Sequence, residues 1–542
     1  MCGILCVLKN CKAQVETVSM KVDLEALQSH ILARGPDSFH TVENEKVSLS
    51  SGVLHIRGQK LVEQPVCSEN YWFAWNGEVF STTYDFSLQS NDTFQVAELL
   101  KANNPLQVLS EVEGPFAFVF IDWEKQELWF GKDFFGRRSF VMMQDENNLV
   151  LSSVGAGSEI PCSGIYKISL LDNSWEFLNW PHEWQRSPSK LRFAQTSMSE
   201  LSDLEHYFLE SVRKRVLGNK EIGVLFSGGL DSTLIAAALH FTLPRESSIY
   251  LLSVSFAENA PDKLSAIESY KELCSNFPDR HFFPVFAEVE YQEVEAHKAK
   301  ILELLLPKNT RMDFSIGSAL YFASRGKGKD LNQNCVEFPG KILLSGLGAD
   351  EVFGGYSRYR SAYKYYGLKG VQSEMELDLN RLWHRNLARD DRICSFHAKE
   401  LRFPFLDCEL IKYVSNFELS CVTDMDSELG EKFSLRELAH KYGIHFAANL
   451  KKRAIQFGSR IAQVCNVAEF GSHRKGKGWV GLNEDKDSKL AQEITWAIEK
   501  LSLEDSFESL NLIERLRDPN VSKRSKRHMM RVKFGDYTKL LS

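Results

Sequence analysis

The feature that most constrains this 542-residue chain is Ser227-Gly228-Gly229-Leu230-Asp231-Ser232, directly after Glu221-Ile222-Gly223-Val224-Leu225-Phe226. The upstream run is short, largely apolar and bounded by charge at Lys220-Glu221, as a buried strand of a parallel sheet is. Downstream, Thr233–His240 is apolar and free of breakers, which predicts the first turns of a helix. Two adjacent glycines flanked by serines, between a strand and a helix, make an anion cradle. Glycine lets the backbone approach closely, while loop N–H groups and the helix dipole face negative charge. A carboxylate at Asp231 is ill suited to touching phosphate alone, so it is read as holding a Mg2+ that phosphates share. An ordinary tight turn would also use these glycines, but the Asp231-Ser232 pair at the helix start favours a nucleotide site. The run Gly131–Gly136 has the glycine spacing of a kinase-type phosphate loop but lacks its Lys-Ser or Lys-Thr pair, and is set aside.

The length exceeds what one hydrophobic core serves, so two or more domains are expected. With 43% hydrophobic and 25% charged residues, the composition is that of a soluble globular protein. A net charge of −7 and a pI near 6.1 argue against nucleic acid as a partner. The basic clusters His473–Lys477 and Lys523–Arg531 are local and read as solvated surface or tail. No apolar run approaches the ~20 residues of a membrane span, and Gly3–Leu8 is too short for a signal sequence. The eleven cysteines include no Cys-x-x-Cys pair, so neither a disulfide framework nor a zinc site is expected. A reducing cytoplasm is the default compartment. The sequence carries no signal for an oligomeric state.

The chain begins Met1-Cys2-Gly3-Ile4. Once Met1 is trimmed, Cys2 carries both a thiol and a free α-amine, whose pKa near ~7.7–8.0 suits it as base for its own thiol. A cysteine after the start codon means nothing alone; the downstream pattern decides. Ala33-Arg34-Gly35-Pro36-Asp37-Ser38 reads as a turn, and Leu54-His55-Ile56-Arg57 places a cation on an extended segment. Tyr71–Trp75 is an aromatic, strand-like run ending in Asn76-Gly77-Glu78. That Asn-Gly pair is either a hairpin turn or an oxyanion hole built from an Asn amide and the next backbone N–H. Asn91-Asp92-Thr93 caps an apolar helix from Phe94 to Lys101, a sufficient structural reason for Asp92. Val112–Asp122 and Leu128–Asp133 look like paired strands.

Taken together, Cys2-Gly3-Ile4, Arg34-Gly35-Pro36-Asp37, Asn76-Gly77-Glu78, Glu113-Gly114-Pro115-Phe116-Ala117-Phe118 and Asp133 with Gly136-Arg137 resemble the class II glutamine amidotransferase domain. The resemblance implies that Cys2 attacks the side-chain amide of glutamine and that Asn76 with the Gly77 N–H forms the oxyanion hole. It also implies that Arg57 pairs with the glutamine carboxylate while Glu78 and Asp92 hold its α-amine. Each charge has the sign its partner needs. One departure is Ala33, where the family carries His.

A second domain is expected after a junction within 173–197, a stretch rich in Trp, Pro and Ser. Leu201–Leu217 reads as an amphipathic helix. The runs Ile249–Phe256, His281–Phe286 and Lys341–Ser345 are separated by helical stretches, Asp262–Cys274 and Tyr291–Leu306. That spacing predicts a parallel, doubly wound sheet with its ligand at the C-terminal strand ends, beside Ser227, Val254 and Ser345. The glycine-rich run Leu344–Tyr356 follows and is read as a second wall of the site, with Asp350 as a metal ligand beside Asp231. Asp391-Arg392 and Leu401-Arg402-Phe403-Pro404-Phe405-Leu406-Asp407 form a further block.

The Ser227–Ser232 run is similar to the pyrophosphate loop of ATP pyrophosphatases. The order of motifs resembles asparagine synthetases and β-lactam synthetases over nearly the whole chain. The resemblance implies an N-terminal-nucleophile α+β domain of stacked sheets and helices (2–180), an α/β synthetase domain (200–515) and a basic tail (516–542). It implies that Ser227, Gly228, Gly229, Asp231 and Ser232 take the phosphates of ATP and Mg2+, and that Val254, Ser345 and Gly346 contact the adenosine. Glutamine, ATP and a carboxylate, by resemblance aspartate, are the expected small-molecule partners, with no nucleic acid and no membrane. Two departures mark the divergent asparagine synthetase domain-containing branch. Leu347 stands where asparagine synthetases carry Glu, and Ala454 where they carry a lysine that neutralises phosphate charge; Lys452 or Arg453 would substitute if the backbone shifts. These departures keep open an alternative, a non-catalytic ATP-binding or scaffold protein or a glutaminase alone.

Overall fold

The computed structural model describes residues 2–15, 17–181 and 201–470. Most of the expected junction, the basic clusters His473–Lys477 and Lys523–Arg531 and the expected tail lie outside the described residues. Residues 1–307 and 317–461 form one compact unit. A second unit comprises 308–316 and 462–542; its described part is the start of the helix Arg311–Ser324 and most of the helix Ile461–Phe470.

In the N-terminal half the strand Cys2–Leu8 lies inside a seven-stranded sheet, antiparallel to Val47–Val53 on one side and Asn148–Ser152 on the other. All of its residues are buried, as its unbroken small and apolar side chains require. Alternation sends Leu5 and Val7 to one face, against Leu27 and Ile31 of the helix Leu24–Arg34. Ile4, Cys6 and Leu8 point the other way, against Ala74, Ala117, Val119 and Ile121 of a second, six-stranded sheet. Burying a side chain of this size is worth about 1.5–3 kcal/mol, so this strand holds the N terminus firmly in place. The far face of the second sheet carries Phe73, Trp75, Phe116 and Phe118, covered by Val96, Ala97 and Leu100 of the helix Asp92–Ala102. The layers therefore run helix, sheet, sheet, helix, the expected stacked α+β arrangement.

Two local expectations change here. Asn76-Gly77 is not a hairpin turn: it ends the strand Tyr71–Gly77, where Asn76 pairs with Ala117 and Gly77 with Phe116. The cap of the next helix is Asn91, whose side chain accepts from the Thr93 N–H at 2.9 Å. Asp92 is already in the first helical turn, so capping does not explain it.

The C-terminal half is built on a second seven-stranded sheet. Its parallel strands lie in the order Phe282–Glu288, Ser248–Ser255, Glu221–Leu225, Ile342–Leu344, Glu400–Arg402. An antiparallel edge follows Phe282–Glu288, formed by Lys327–Lys329 and Cys335–Glu337, which periodicity alone did not show. The strand order reverses between Glu221–Leu225 and Ile342–Leu344. In a doubly wound sheet a crevice opens at the strand ends beside that reversal. The two loops that flank it begin at Ser227 and Ser345.

Buried ion pairs join the halves inside the first unit. Arg34 NH2 lies 2.8 Å from Asp391 Oδ2, which also accepts from the Ser139 N–H at 3.1 Å, and Arg138 NH1 lies 3.4 Å from Asp391 Oδ1. Arg392 NH1 donates to Glu159 Oε1 at 2.6 Å and to Ser139 Oγ at 2.8 Å. Removing one partner of such a buried pair costs about 3–5 kcal/mol, because the remaining charge has no water to turn to. A partly exposed pair, Asp37 with Lys341 at 2.6 Å, adds to them. Thus Arg34, Asp37 and Asp391, which looked like motif residues of two separate domains, fasten one half to the other.

Candidate active sites

The first site forms around Cys2, at the head of its strand. The Cys2 backbone N donates to Asn76 Oδ1 at 3.1 Å, and Gln64 Nε2 donates to Cys2 Sγ at 3.2 Å. Burial pushes the thiol up, and the charges of Asp92 and Glu400 add to it. Asn76 is fully buried and its Nδ2 has no hydrogen-bond partner among the described residues. A buried amide donor without a partner is costly, about 1–3 kcal/mol, and marks a place prepared for a ligand oxygen.

A small cleft opens here, lined among others by Cys2, Arg57, Gln64, Gly77, Glu78 and Asp92. Arg57 NH2 lies 2.6 Å from Glu78 Oε2, its NH1 3.8 Å from Asp92 Oδ2, and NH1 donates to Val79 O at 2.7 Å. Asp92 Oδ2 accepts from the Val79 N–H at 3.0 Å. Burial and the neighbouring Glu78 charge push the Asp92 carboxyl up to about 6, against the pull of Arg57. The residues expected to take glutamine thus stand together. By contrast Glu113, Asp133 and Arg137 face away into the contact between the halves, where Arg137 Nε donates to Asp133 Oδ1 at 2.9 Å and Glu113 lies 3.4 Å from Arg215.

The second site forms at the crevice of the parallel sheet. The loop between Glu221–Leu225 and the helix Leu230–Thr242 turns at Gly228 with φ +69°, where a Cβ would meet the Ala266 N at 2.3 Å. Hydroxyls hold the loop: Ser269 Oγ donates to Gly228 O at 2.7 Å, and Thr233 Oγ1 and Ser232 Oγ donate to Gly229 O at 2.9 and 3.2 Å. Val254 is buried near the end of the adjoining strand. On the other side Ser345 Oγ accepts from the Leu347 N–H at 3.3 Å.

The centre of this site is a lysine. Lys432 Nζ donates to both oxygens of Asp231 at 2.7 Å and lies 2.6 Å from Asp350 Oδ1. Burial works against its charge, but Asp231 and Asp350 outweigh burial and hold the ammonium up at about 12. Asp350 Oδ2 takes a second ammonium, Lys452. Burial would raise the Asp350 carboxyl, yet Lys432 and Lys452 hold it well below the usual carboxylate range. Gly355 makes the room, since a Cβ there would stand 2.1 Å from Asp350 Oδ1 and 2.2 Å from Lys432 Cε. Lys432 itself sits in the left-handed region at φ 58°, a strain of about 1–3 kcal/mol that the surrounding contacts impose. Glu351 points elsewhere and accepts from Tyr356 OH at 2.6 Å.

Ala454 begins a short helix, Ile455–Gly458. Arg453 reaches Asp262 at 3.7 Å, so of the two basic residues before Ala454 it is Lys452 that approaches the paired carboxylates.

Comparison with known proteins bears on both halves of the chain. Residues 203–370 and 362–458 match the asparagine synthase family, and residues 1–157 match the glutamine amidotransferase domain. The chain is 32% identical to the asparagine synthetase domain-containing protein YML096W of Saccharomyces cerevisiae, over 80% of this chain and 88% of that one. It belongs to the asparagine synthetase family. Its relatives include asparagine synthetase domain-containing protein 1 of Mus musculus, 29% identical over 88% of this chain and 99% of that one. Another is protein CG17486 of Drosophila melanogaster, 28% identical over 88% and 99%. The domain pair of a glutamine-dependent ligase family therefore spans most of the described chain.

Sequence reasoning missed two residues of these sites. Lys432 follows Gly430-Glu431 with no local pattern to mark it, and stands 201 positions from the aspartate it holds. Gln64, whose Oε1 accepts from the Trp75 N–H at 2.6 Å while its amide reaches Cys2, likewise has no sequence signal. Among the described residues no helix is long and apolar enough to cross a membrane.

Proposed function

We propose that this chain is a glutamine-hydrolysing, ATP-dependent amide-forming ligase acting on a carboxylate, with aspartate as the acceptor. The observation that carries the reading is the Cys2 cleft: the Cys2 backbone N–H donates to a buried Asn76 whose Nδ2 has no hydrogen-bond partner among the described residues, and Arg57, Glu78 and Asp92 line the cleft beside the thiol. The Cys2 α-amine, freed by loss of Met1, takes the thiol proton as the sulfur attacks the glutamine amide carbon. Asn76 Nδ2 and the Gly77 N–H receive the developing oxyanion, ammonia leaves, and water frees glutamate from the thioester. In the other half the carboxylate attacks the α-phosphorus of ATP, releasing pyrophosphate. Ammonia then displaces AMP to give the amide.

Asp231 and Asp350 fit a Mg2+ that shares phosphate oxygens. They come from opposite walls of the crevice and converge on one ammonium, and Mg2+ is held by one or two carboxylates plus phosphates and water. Bound there, the metal would neutralise phosphate charge. Lys432 and Lys452 would turn from the aspartates to phosphate oxygens as ATP enters, which supplies the cations that Ala454 does not.

The test is to incubate protein of verified Met1 removal with glutamine, Mg2+, ATP and aspartate, and to follow glutamate, AMP and asparagine together. All three should rise in step, and Cys2→Ala should stop glutamate release while leaving ammonia-dependent AMP formation. Glutamate without AMP or asparagine sinks the ligase reading and leaves a glutaminase.

The pH dependence follows from Asp92. Its carboxyl titrates at about 6, so below that pH it is neutral and loses its hold on the glutamine ammonium. On this reading kcat/KM for glutamate release falls about tenfold per pH unit below about 7.7, where the Cys2 α-amine protonates, and steepens further below about 6, where Asp92 does. Asp92→Asn should remove the second limb and leave the first, at a lower rate. A wild-type slope that does not steepen between about pH 7 and 5 excludes the assignment.

A further inference from the structure

We propose that Arg402, supplied by the C-terminal half, is a positioning residue of the glutamine site and acts through Glu78. The inference rests on the glutamine reading of the Cys2 cleft. Glu78 is almost fully buried, and its two oxygens are divided between two arginines from opposite halves. Oε2 lies 2.6 Å from Arg57 NH2, and Oε1 lies 3.2 Å from Arg402 NH2. The Arg402 guanidinium is itself held: Nε donates to Glu400 Oε1 at 2.6 Å, and NH1 donates to Arg215 O at 2.6 Å. Its planar fork therefore has one free edge, and that edge faces Glu78.

The arrangement matters once substrate arrives. Arg57 is the cation available to the glutamine α-carboxylate, so binding pulls Arg57 away from Glu78. With Arg402 in place, Glu78 keeps one fixed partner and presents its other oxygen to the α-ammonium. Without Arg402, Glu78 and Arg57 form a self-sufficient pair that glutamine must break. The Arg402 and Glu78 side chains are both buried, so their pair meets little competition from bulk water. The effect falls on binding and leaves the attack by Cys2 alone. The Arg402 guanidinium is spent on Glu78, Glu400 and the Arg215 carbonyl, whereas Cys2 is held by Asn76 and Gln64.

Arg402 is also tied to the second site through its backbone. It ends the strand Glu400–Arg402, which pairs in parallel with Ile342–Leu344, and its carbonyl accepts from the Ser345 N–H at 3.0 Å. One residue thus holds the first position of the Ser345 loop by its main chain and the glutamine-site carboxylate by its side chain.

The experiment is a cycle in the full-length protein: Arg402→Gln, Glu78→Gln and the double variant, with glutamate release from glutamine measured in the absence of ATP. Arg402→Gln is expected to raise KM about tenfold, with kcat changed by less than about twofold. In the Glu78→Gln background the same substitution should change KM by less than about twofold, because the group it acts through is gone. Effects on KM that multiply in the double variant, or a fall in kcat at unchanged KM, overturn the proposal. Should Arg402→Gln fail to fold, Arg402→Lys carries the same test. An ammonium cannot serve Glu400, the Arg215 carbonyl and Glu78 together, so KM should rise about threefold and the rise should vanish with Glu78→Gln. An unchanged KM in Arg402→Lys overturns it. Absence of glutamate release from the wild-type protein is a different result, which removes the glutamine reading itself.

Discussion

Replacing Lys432 by alanine is expected to lower ATP-dependent AMP formation by about 10²–10³-fold, the usual loss when one preorganised charge at a reacting centre is removed. Among the described residues, Lys432 is the one ammonium that touches both Asp231 and Asp350. Without it, two carboxylates from facing loops are left with Lys452 alone, on the Asp350 side. Phosphate entering that crevice would then meet net negative charge. The partly exposed Lys452 should matter less, with Lys452→Ala costing about tenfold. The control is built into the chain, because glutamate release is read in the other half. If Lys432→Ala keeps glutamate release and loses AMP formation, the lysine belongs to the synthetase chemistry. If AMP formation survives within about threefold, Lys432 is a structural tie and the charge that offsets phosphate lies elsewhere.

Asn76→Ala is expected to do the converse. Glutamate release should lose about 10²–10³-fold in kcat, with KM for glutamine moved only a few-fold, because the amide serves the oxyanion and leaves the α-carboxylate and α-amine to other groups. The substitution removes two things at once: the unpartnered Nδ2 donor and the Oδ1 that accepts from the Cys2 N–H. Asn76→Asp separates them. It keeps an acceptor for the Cys2 amine but puts an anion where an oxyanion should form, so it should be at least as damaging. AMP formation driven by added ammonium salt should continue in both variants. A kcat within about threefold of wild type in Asn76→Ala would show that the cleft does not work by oxyanion stabilisation.

Together the two substitutions ask whether the halves work independently, and the contacts between them make that a sharp question. Arg34, Asp37, Arg138 and Glu159 of the first half are committed to Asp391, Lys341, Glu400 and Arg392 of the second. Glu78, which lines the Cys2 cleft, is itself paired with Arg402 of the second half. Variants at Lys432 and Asn76 avoid those ties, which is why each should silence one chemistry and spare the other.

Much of this was open to reading in the sequence. The strand, glycines and helix around Ser227 have one sensible conformation, because an apolar run, two residues without Cβ and an uninterrupted helical stretch leave little choice. Cys2, Arg57, Asn76, Glu78 and Asp92 could be named because the motifs around them resemble the class II glutamine amidotransferase domain, and the signs of their charges agree with what that resemblance implies. What the sequence could not decide is whatever depends on two distant segments meeting. Whether Asn76-Gly77 turned or continued depended on Phe116 and Ala117 lying alongside. Lys432 became the centre of the second site only when its helix start reached Asp231 across the crevice. The Arg34 and Asp37 motif is tied to the second half, because Asp391 and Lys341 come to meet it. Local pattern records the conformation each segment prefers; the long-range pairing of buried charges, where desolvation is offset only if partners converge, is settled by tertiary structure alone.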